Sequence, residues 1–183
     1  MDRQDVRIVV LCEDEDHRRF SYHVLGKLRY HPRDIRFAIS PRGRGAADLW
    51  IKKTYPEEVR GYRRRAANQQ VALLVLVDAD RLSVKARHKH LDDALAEAGQ
   101  GKRSKTDHIA LWVPKRHIET WIVFLVKHTK VDEKKDYKNE ARNLGYDQAA
   151  SRFVELYQGP PATQDSAPPS MRTTFGETAQ LDW

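Results

Sequence analysis

Two acidic side chains follow the longest apolar run of the chain. That run, VALLVLVDAD, covers residues 71–80 and ends on Asp78 and Asp80. A second run, VRIVVLCE at residues 6–13, ends on Glu13. Carboxylates held close together repel one another, so a cluster of three is costly unless a cation neutralises it or one of them takes up a proton. Oxygen-only ligands suit a hard ion, and we expect Mg²⁺ first and Mn²⁺ second.

Hydrophobic periodicity indicates the elements that would position these acids. Four apolar segments are typical of buried strands: 6–13, 35–40, 71–78 and 108–114. Helical patterns occupy 17–30, 84–99, 117–128 and 136–157, and a helical stretch interrupted by Pro56 precedes the third strand. Such alternation predicts an α/β fold: a mostly parallel sheet of about four strands with helices on both faces, plus C-terminal helices. In these sheets, working residues lie beyond the C-terminal strand ends, where Glu13, Asp78 and Asp80 stand.

Composition indicates one folded domain with a real core. The chain has 183 residues, of which 32% are charged and 40% hydrophobic. Its apolar runs are shorter than the roughly 18 residues of a membrane span, so we expect a cytoplasmic protein without membrane contact. Cys12 is the only cysteine, which excludes an internal disulfide and a cysteine-based zinc site. We expect a catalytic domain over 1–130, a helical extension over 131–157, and a Pro-containing linker and tail over 158–183.

The order of these motifs resembles the Toprim family. A strand ending in Glu13, a strand–helix passage and a hydrophobic strand ending in the pair Asp78 and Asp80 cover about residues 5–127. The resemblance implies a Rossmann-like fold and a metal-dependent endonuclease, similar to the overcoming-lysogenization-defect nucleases. In such nucleases the aspartates hold metal, while the glutamate binds metal or moves a proton. This chain departs from many members in having Asp14, and no glycine, after the glutamate.

A further segment, WVPKRHIETWIVFL at residues 112–125, is similar to one found in small Toprim-like proteins of bacterial defence loci. That likeness implies Glu119 as an additional acidic ligand and an anti-phage setting. A structural alternative stays open for Glu119, because a carboxylate on an apolar helix can be paired with Arg116 or with a backbone donor.

The positive charge of the chain favours a polyanionic partner, DNA or RNA. Lysines and arginines number 33 against 26 acidic residues, a net charge of +7. Eight basic residues in loops or helices are candidate nucleic-acid contacts: Arg42, Arg44, Arg63, Arg64, Lys85, Lys89, Lys115 and Arg116. The alternative for the helical ones is an ordinary solvated helix face.

Other functions remain open from the residues alone. Asp78 and Asp80 could cap a turn, serve as the acidic pocket of a receiver-like domain, or hold Mn²⁺ in a glycosyltransferase. A non-catalytic subunit that binds a partner protein or nucleic acid is a further class. The chain has no G-x-x-x-x-G-K-[ST] loop, so an ATP-driven step needs a separate ATPase or regulatory subunit.

The C-terminal segment carries apolar residues that are unusual for a disordered tail. They are Met171, Phe175, Leu181 and Trp183. Such residues either pack on the parent domain or dock into a partner, which can be a second copy of the chain.

Overall fold

A four-stranded, all-parallel sheet forms the centre of the computed structural model, which describes residues 5–41 and 46–182. The spatial order is β2-β1-β3-β4, with β1 at Arg7–Cys12, β2 at Ile35–Ile39, β3 at Val71–Leu76 and β4 at Ile109–Trp112. The predicted α/β class and parallel sheet are confirmed. Each strand ends one or two residues before its predicted end, and the loops that bear the acidic residues begin after β1 and β3.

Helices connect the strands and cover both faces of the sheet. Within the described residues they are α1 Glu15–Lys27, α2 Ala46–Ala66, α3 Val84–Glu97, α4 Ile118–Lys127, α5 Lys138–Ala141, α6 Tyr146–Gln158, α7 Pro161–Gln164 and α8 Pro169–Thr178. Short 3-10 turns occupy Pro32–Asp34 and Ala179–Leu181. None of these helices is both long enough and apolar enough to cross a membrane.

Helix α2 corrects the expectation that Pro56 interrupts the helix. Proline removes one backbone hydrogen bond and crowds the preceding turn, yet α2 runs through it. Four side chains at helical spacing, Ile51, Tyr55, Val59 and Tyr62, are buried against the sheet. Their shared apolar face offsets the local cost of the proline and keeps the helix continuous.

The two faces of the sheet bury separate cores. Alternate residues of β1 point to opposite sides, so Ile8 and Val10 join one core while Val9 and Leu11 join the other. On the first side, the ring of Phe153 from α6 packs against four other aromatic rings at centroid distances of 5.1–6.3 Å; these rings belong to Phe20, Trp112, Trp121 and Phe175.

The segment 158–183 is interpreted from its prolines as a linker and tail, but its described residues after α6 include α7, α8 and a 3-10 turn. Pro161 and Pro169 are the first residues of α7 and α8, where the missing N–H costs no helical hydrogen bond. Met171 and Phe175 are buried in the core beside the sheet, as is Leu181; Trp183 lies outside the described residues. Of the two alternatives for these apolar residues, packing on the parent domain is the one that the structure shows for the first three.

The same segment covers an edge of the sheet. Glu177 on α8 accepts a hydrogen bond from the backbone N–H of Leu111 in edge strand β4, at 2.8 Å. Glu177 also accepts a hydrogen bond from the guanidinium of Arg103 at 2.8 Å, and Arg103 donates in addition to the carbonyl of Ile109. An exposed strand edge can pair with other chains, and this contact satisfies part of the edge internally.

Candidate metal centre

The backbone beyond β3 sets the direction of Asp78. The N–H of Val77 donates to the carbonyl of Trp112 at 3.1 Å, and that of Ala79 donates to Pro114 at 2.8 Å. Because successive N–H groups of an extended chain point to opposite sides, the N–H of Asp78 points toward β1. There a carboxylate oxygen of Glu13 accepts it at 3.3 Å. The two acids therefore meet at the C-terminal edge of the sheet, where their strand-end positions predicted them.

A buried histidine lies between two carboxylates at this edge. His17 is in the first turn of α1 and is completely buried. Its Nε2 lies 3.0 Å from Asp78 Oδ1 and its Nδ1 lies 2.7 Å from Asp14 Oδ1. Burial disfavours the imidazolium, but the facing Asp78 and Asp14 carboxylates outweigh that effect and raise the pKa of His17 well above its ordinary value.

A second histidine approaches Asp78 from the other side. His117 immediately precedes α4, and its Nδ1 lies 3.4 Å from Asp78 Oδ2 and 3.7 Å from Asp80 Oδ1. The hydrogen bond to Asp78 raises the pKa of His117. Burial favours a neutral Asp78, but the two histidines outweigh it, so the pKa of Asp78 lies below its ordinary value.

Asp78 is shared by two groups of side chains whose ligand atoms lie within 4.8 Å of one another. One group is Glu13, His17 and Asp78; the other is Asp78, Asp80 and His117. The expected oxygen-only cluster is thus wrong in composition, since each group contains an imidazole nitrogen. Glu13 and Asp80 belong to different groups. Asp80 is the most accessible of these side chains, 64% exposed, and its φ of 51° is one that aspartate and asparagine tolerate better than most residues.

A buried arginine within the basic run 85–90 opposes the charge of Glu13. Arg87 on α3 donates to Glu13 Oε1 at 3.0 Å and also pairs with Asp48 on α2. Burial of Glu13, followed by the negative charge of Asp78, nevertheless raises the pKa of Glu13 to about 7. A carboxyl group with this pKa exchanges a proton near neutral pH.

The stability of Glu13→Gln relative to the parent should depend on pH in metal-free buffer. The pKa of Glu13 is about 7 in the fold against an ordinary 4.5, so the fold favours the protonated form. The stability from this preference is complete below pH 4.5 and is lost as the pH rises through 7. Glutamine stays neutral, so the melting temperature of the variant minus that of the parent should rise from pH 5 to pH 8. Calorimetry in EDTA measures it.

The exposed Glu155 provides the control for this comparison. It lies on α6, pairs only with Arg152 among the described residues, and is 67% exposed. Glu155→Gln is measured in the same buffers, and the Glu13→Gln difference is read against it. A Glu13→Gln difference that is flat or falls between pH 5 and pH 8 would show that Glu13 is ionised throughout this range.

Glu119, the fourth predicted acidic ligand, lies on the first turn of α4, two residues after His117. Burial raises the pKa of Glu119, and the charge of Asp78 contributes in the same direction. Glu119 is therefore electrostatically coupled to the site. Among the described residues, however, it belongs to neither of the two ligand groups.

Lys115 and Arg116, both predicted to contact phosphate, have different roles. Lys115 donates to the carbonyl of Leu82 at 2.6 Å, which ties the loop before α4 to the turn after β3. Arg116 is half-buried, and its Nε has no hydrogen-bond partner among the described residues. It lines a cavity of about 390 Å³ together with Asp80 and His117. Arg116 is thus one cation in this cavity that can meet an anion beside the acidic site.

The basic residues that are candidate nucleic-acid contacts do not all lie at the strand ends that carry the acids. Helix α2 leads from the end of β2 to the start of β3, so Arg63 and Arg64 near its C-terminus lie at the opposite edge. Arg63 donates to the carbonyls of residues 101 and 102 at 3.0 and 2.9 Å, and so holds the loop before β4. Lys85 and Lys89 are exposed on α3, where Lys89 pairs with a neighbouring aspartate at 2.6 Å.

Two predicted contacts, Arg42 and Arg44, lie outside the described residues. Three residues that the sequence argument did not single out carry the site: His17, Arg87 and His117. The position of His17 shortly after Glu13 and that of His117 just before α4 were available signals, whereas Arg87 lies inside a basic run. Periodicity alone gave no reason to separate them from ordinary helix residues.

Comparisons of the chain with family models, curated proteins and solved structures found no match. The Toprim resemblance therefore rests on the motif residues themselves, with Glu13 and Asp78 adjacent at the sheet edge and Asp80 beside them.

Proposed function

We propose that this chain is a metal-dependent nuclease of the Toprim-like kind, cleaving phosphodiester bonds in DNA or RNA. The observation that carries the proposal is the buried Asp78 carboxylate at the end of β3, shared by two groups of potential ligands. The side chains of Asp80 and Arg116 line one cavity beside this carboxylate. A cation-binding group next to an unpaired guanidinium is suited to a phosphate diester.

The donor atoms fit a divalent ion best at Asp78, Asp80 and His117. Glu13 is already engaged by Arg87, and His17 is enclosed between two carboxylates, whereas Asp80 is largely exposed. Carboxylates suit Mg²⁺ and Mn²⁺, while an imidazole ligand suits transition metals. We therefore place Mn²⁺ ahead of Mg²⁺, a revision of the order expected from oxygen ligands alone. A bound ion of this kind supplies Lewis acidity and lowers the pKa of a water molecule.

The side chains around the ion have separable tasks in this proposal. Arg116 binds a non-bridging phosphate oxygen in the cavity that it lines with Asp80. Glu13, with a pKa of about 7, accepts or returns a proton near neutral pH. His17 holds the Asp78 carboxylate in place through the 3.0 Å contact.

A cleavage assay with plasmid DNA and with tRNA tests the proposal. We expect cutting with Mn²⁺, less with Mg²⁺ and none in EDTA. Asp80→Asn should reduce the rate by at least about 100-fold, since it removes one of few ligands while keeping a residue that tolerates its positive φ.

Asp165→Asn is the matched control for that assay. Asp165 is exposed after α7 and belongs to neither ligand group, so this variant should cut at the parental rate. Equal activity of Asp80→Asn and Asp165→Asn would contradict the proposal. The absence of cutting on both substrates with both metals, also after addition of host extract, would favour the non-catalytic alternative.

That alternative, a subunit that binds a partner protein or nucleic acid without cutting, has one observation in its favour. The charges of Glu13 and Asp78 are already opposed inside the protein by Arg87 and His17. A fold that neutralises its own carboxylates does not need a cation to be stable. The accessible Asp80 and the free Arg116 favour the nuclease.

The biological setting extends the same proposal. A nuclease that meets nucleic acid in its own cell requires restraint, and we propose a bacterial anti-phage role with a separate regulatory or ATPase subunit, or with self-association. Met171, Phe175 and Leu181 of the C-terminal segment are buried in the parent core, so these three side chains offer no docking surface in this fold.

A further inference from the structure

A second charged cavity lies at the opposite edge of the sheet from Asp78. It has a volume of about 360 Å³ and is floored by the first residues of β1 and β3, among them Ile8 and Val71. Four arginines line it, Arg7, Arg33, Arg36 and Arg65, with Asp34 as the one acidic residue of the lining. None of the four belongs to the site at Asp78.

Only part of this positive charge has a partner. Arg36 pairs with Glu58 on α2 at 2.5 Å. Arg7, Arg33 and Arg65 are exposed and have no carboxylate within 4.0 Å among the described residues. With Asp34 counted as the one acidic residue of the lining, a net of two positive charges remains around this concavity among the described residues. Like charges so arranged repel one another, and an anion in the cavity removes that repulsion.

The arginines come from separate elements that the fold brings together. Arg7 begins β1, Arg33 lies in the 3-10 turn before β2, and Arg65 lies in the last turn of α2. A cation at a helix C-terminus is favourable by itself, which accounts for Arg65 alone. It does not account for Arg7 and Arg33 on the other sides of the same cavity.

We propose that this cavity binds a small molecule with two or more linked phosphate groups. Arginine presents paired donors that match phosphate oxygens, and two unmatched charges require more than one phosphate charge. The volume falls in the range of small-ligand sites. A nucleic-acid backbone is the less suitable occupant, because the arginines surround a concavity and do not line an extended groove.

Calorimetric titration of the full chain with inorganic pyrophosphate, then with triphosphate, tests this inference. EDTA is present throughout, so that metal at the Asp78 site does not contribute. We expect saturable binding, and Arg65→Gln should weaken it by at least about fivefold, as loss of a charge-assisted hydrogen bond does. Arg64→Gln is the matched control: it is the adjacent residue, carries the same charge and does not line the cavity. It should change the affinity less than twofold.

Three results would overturn the inference. Binding that fails to saturate at millimolar pyrophosphate and triphosphate would mean that the cavity holds no such ligand. Equal weakening by Arg64→Gln and Arg65→Gln would indicate general charge attraction. A short oligonucleotide that binds in an Arg65-dependent way, while pyrophosphate and triphosphate do not, would assign the cavity to nucleic acid. Because the measurement is binding without metal, each result is independent of the nuclease proposal.

Discussion

Replacement of Asp78 by asparagine should abolish cleavage and lower the free energy of unfolding by about 2–4 kcal/mol. Asp78 accepts hydrogen bonds from His17 and His117, and His17 is completely buried. Without the carboxylate, the imidazolium of His17 loses its contact with Asp78 and keeps the 2.7 Å contact with Asp14, with Glu13 close by. Chemical denaturation at pH 6 in EDTA measures the stability, since the raised pKa of His17 keeps that side chain protonated in the parent at this pH.

Asp80→Asn is the control that separates the loss of cleavage from the loss of stability. Asp80 stands two residues further along the same loop and is 64% exposed, so its replacement should abolish cleavage with a stability change within about 0.5 kcal/mol. If Asp78→Asn is as stable as the parent, the contacts with His17 and His117 do not stabilise the fold. If Asp78→Asn still cuts, the catalytic assignment is wrong.

A chain that ends at Gln158 should fail to fold. The missing segment contributes Met171, Phe175 and Leu181 to the main core. Loss of each such side chain costs about 2–5 kcal/mol, and the sum equals or exceeds the usual stability of a domain. Removal also leaves the Leu111 amide of edge strand β4 without its acceptor on α8, which favours aggregation. Circular dichroism and size-exclusion chromatography measure the outcome.

A single substitution keeps this prediction testable if the shortened chain is insoluble. Phe175→Ala should cost about 3–5 kcal/mol, because the ring packs 5.3 Å from Phe153 and is buried. Arg172→Ala, exposed on the same helix, should stay within about 0.5 kcal/mol. A soluble, cooperatively folded chain ending at Gln158 would mean that the segment is dispensable.

The sheet could be predicted from the sequence because apolar runs of this kind are compatible with few structures other than buried strands. The run at 71–78 has no polar residue before Asp78. A continuous apolar run is the pattern expected of a strand buried on both faces. Parallel strands place their C-terminal ends at one edge, so Glu13 and Asp78 were predicted to meet across 65 positions of sequence. This part of the site follows from topology alone.

The partners of the acids depend on side-chain direction, which periodicity does not give. His17 is one turn into α1, and the helix could have turned it toward solvent. The cap formed by Asp14 fixes the start of α1 and so directs His17 at Asp78. Arg87 was similarly hidden in a basic run, of which the structure buries this residue and exposes Lys85 and Lys89.

The prolines of the C-terminal segment misled the sequence argument for a different reason. Proline is common both in linkers and at the first position of helices. Pro161 and Pro169 begin helices, and the buried positions that follow at Met171 and Phe175 are one helical turn apart. The apolar content of the tail was the better indicator, since it predicted packing that the prolines obscured.

The proposed metal site at Asp78 is tested most directly by X-ray diffraction from a crystal soaked in Mn²⁺, with data collected at the manganese absorption edge. We expect an anomalous peak coordinated by carboxylate oxygens of Asp78 and Asp80 and by a ring nitrogen of His117. The ligand atoms of these three side chains already lie within 4.8 Å of one another. The same soak of Asp80→Asn should leave the position empty. A peak elsewhere, or none at Asp78 at a Mn²⁺ concentration that supports cleavage, would contradict it.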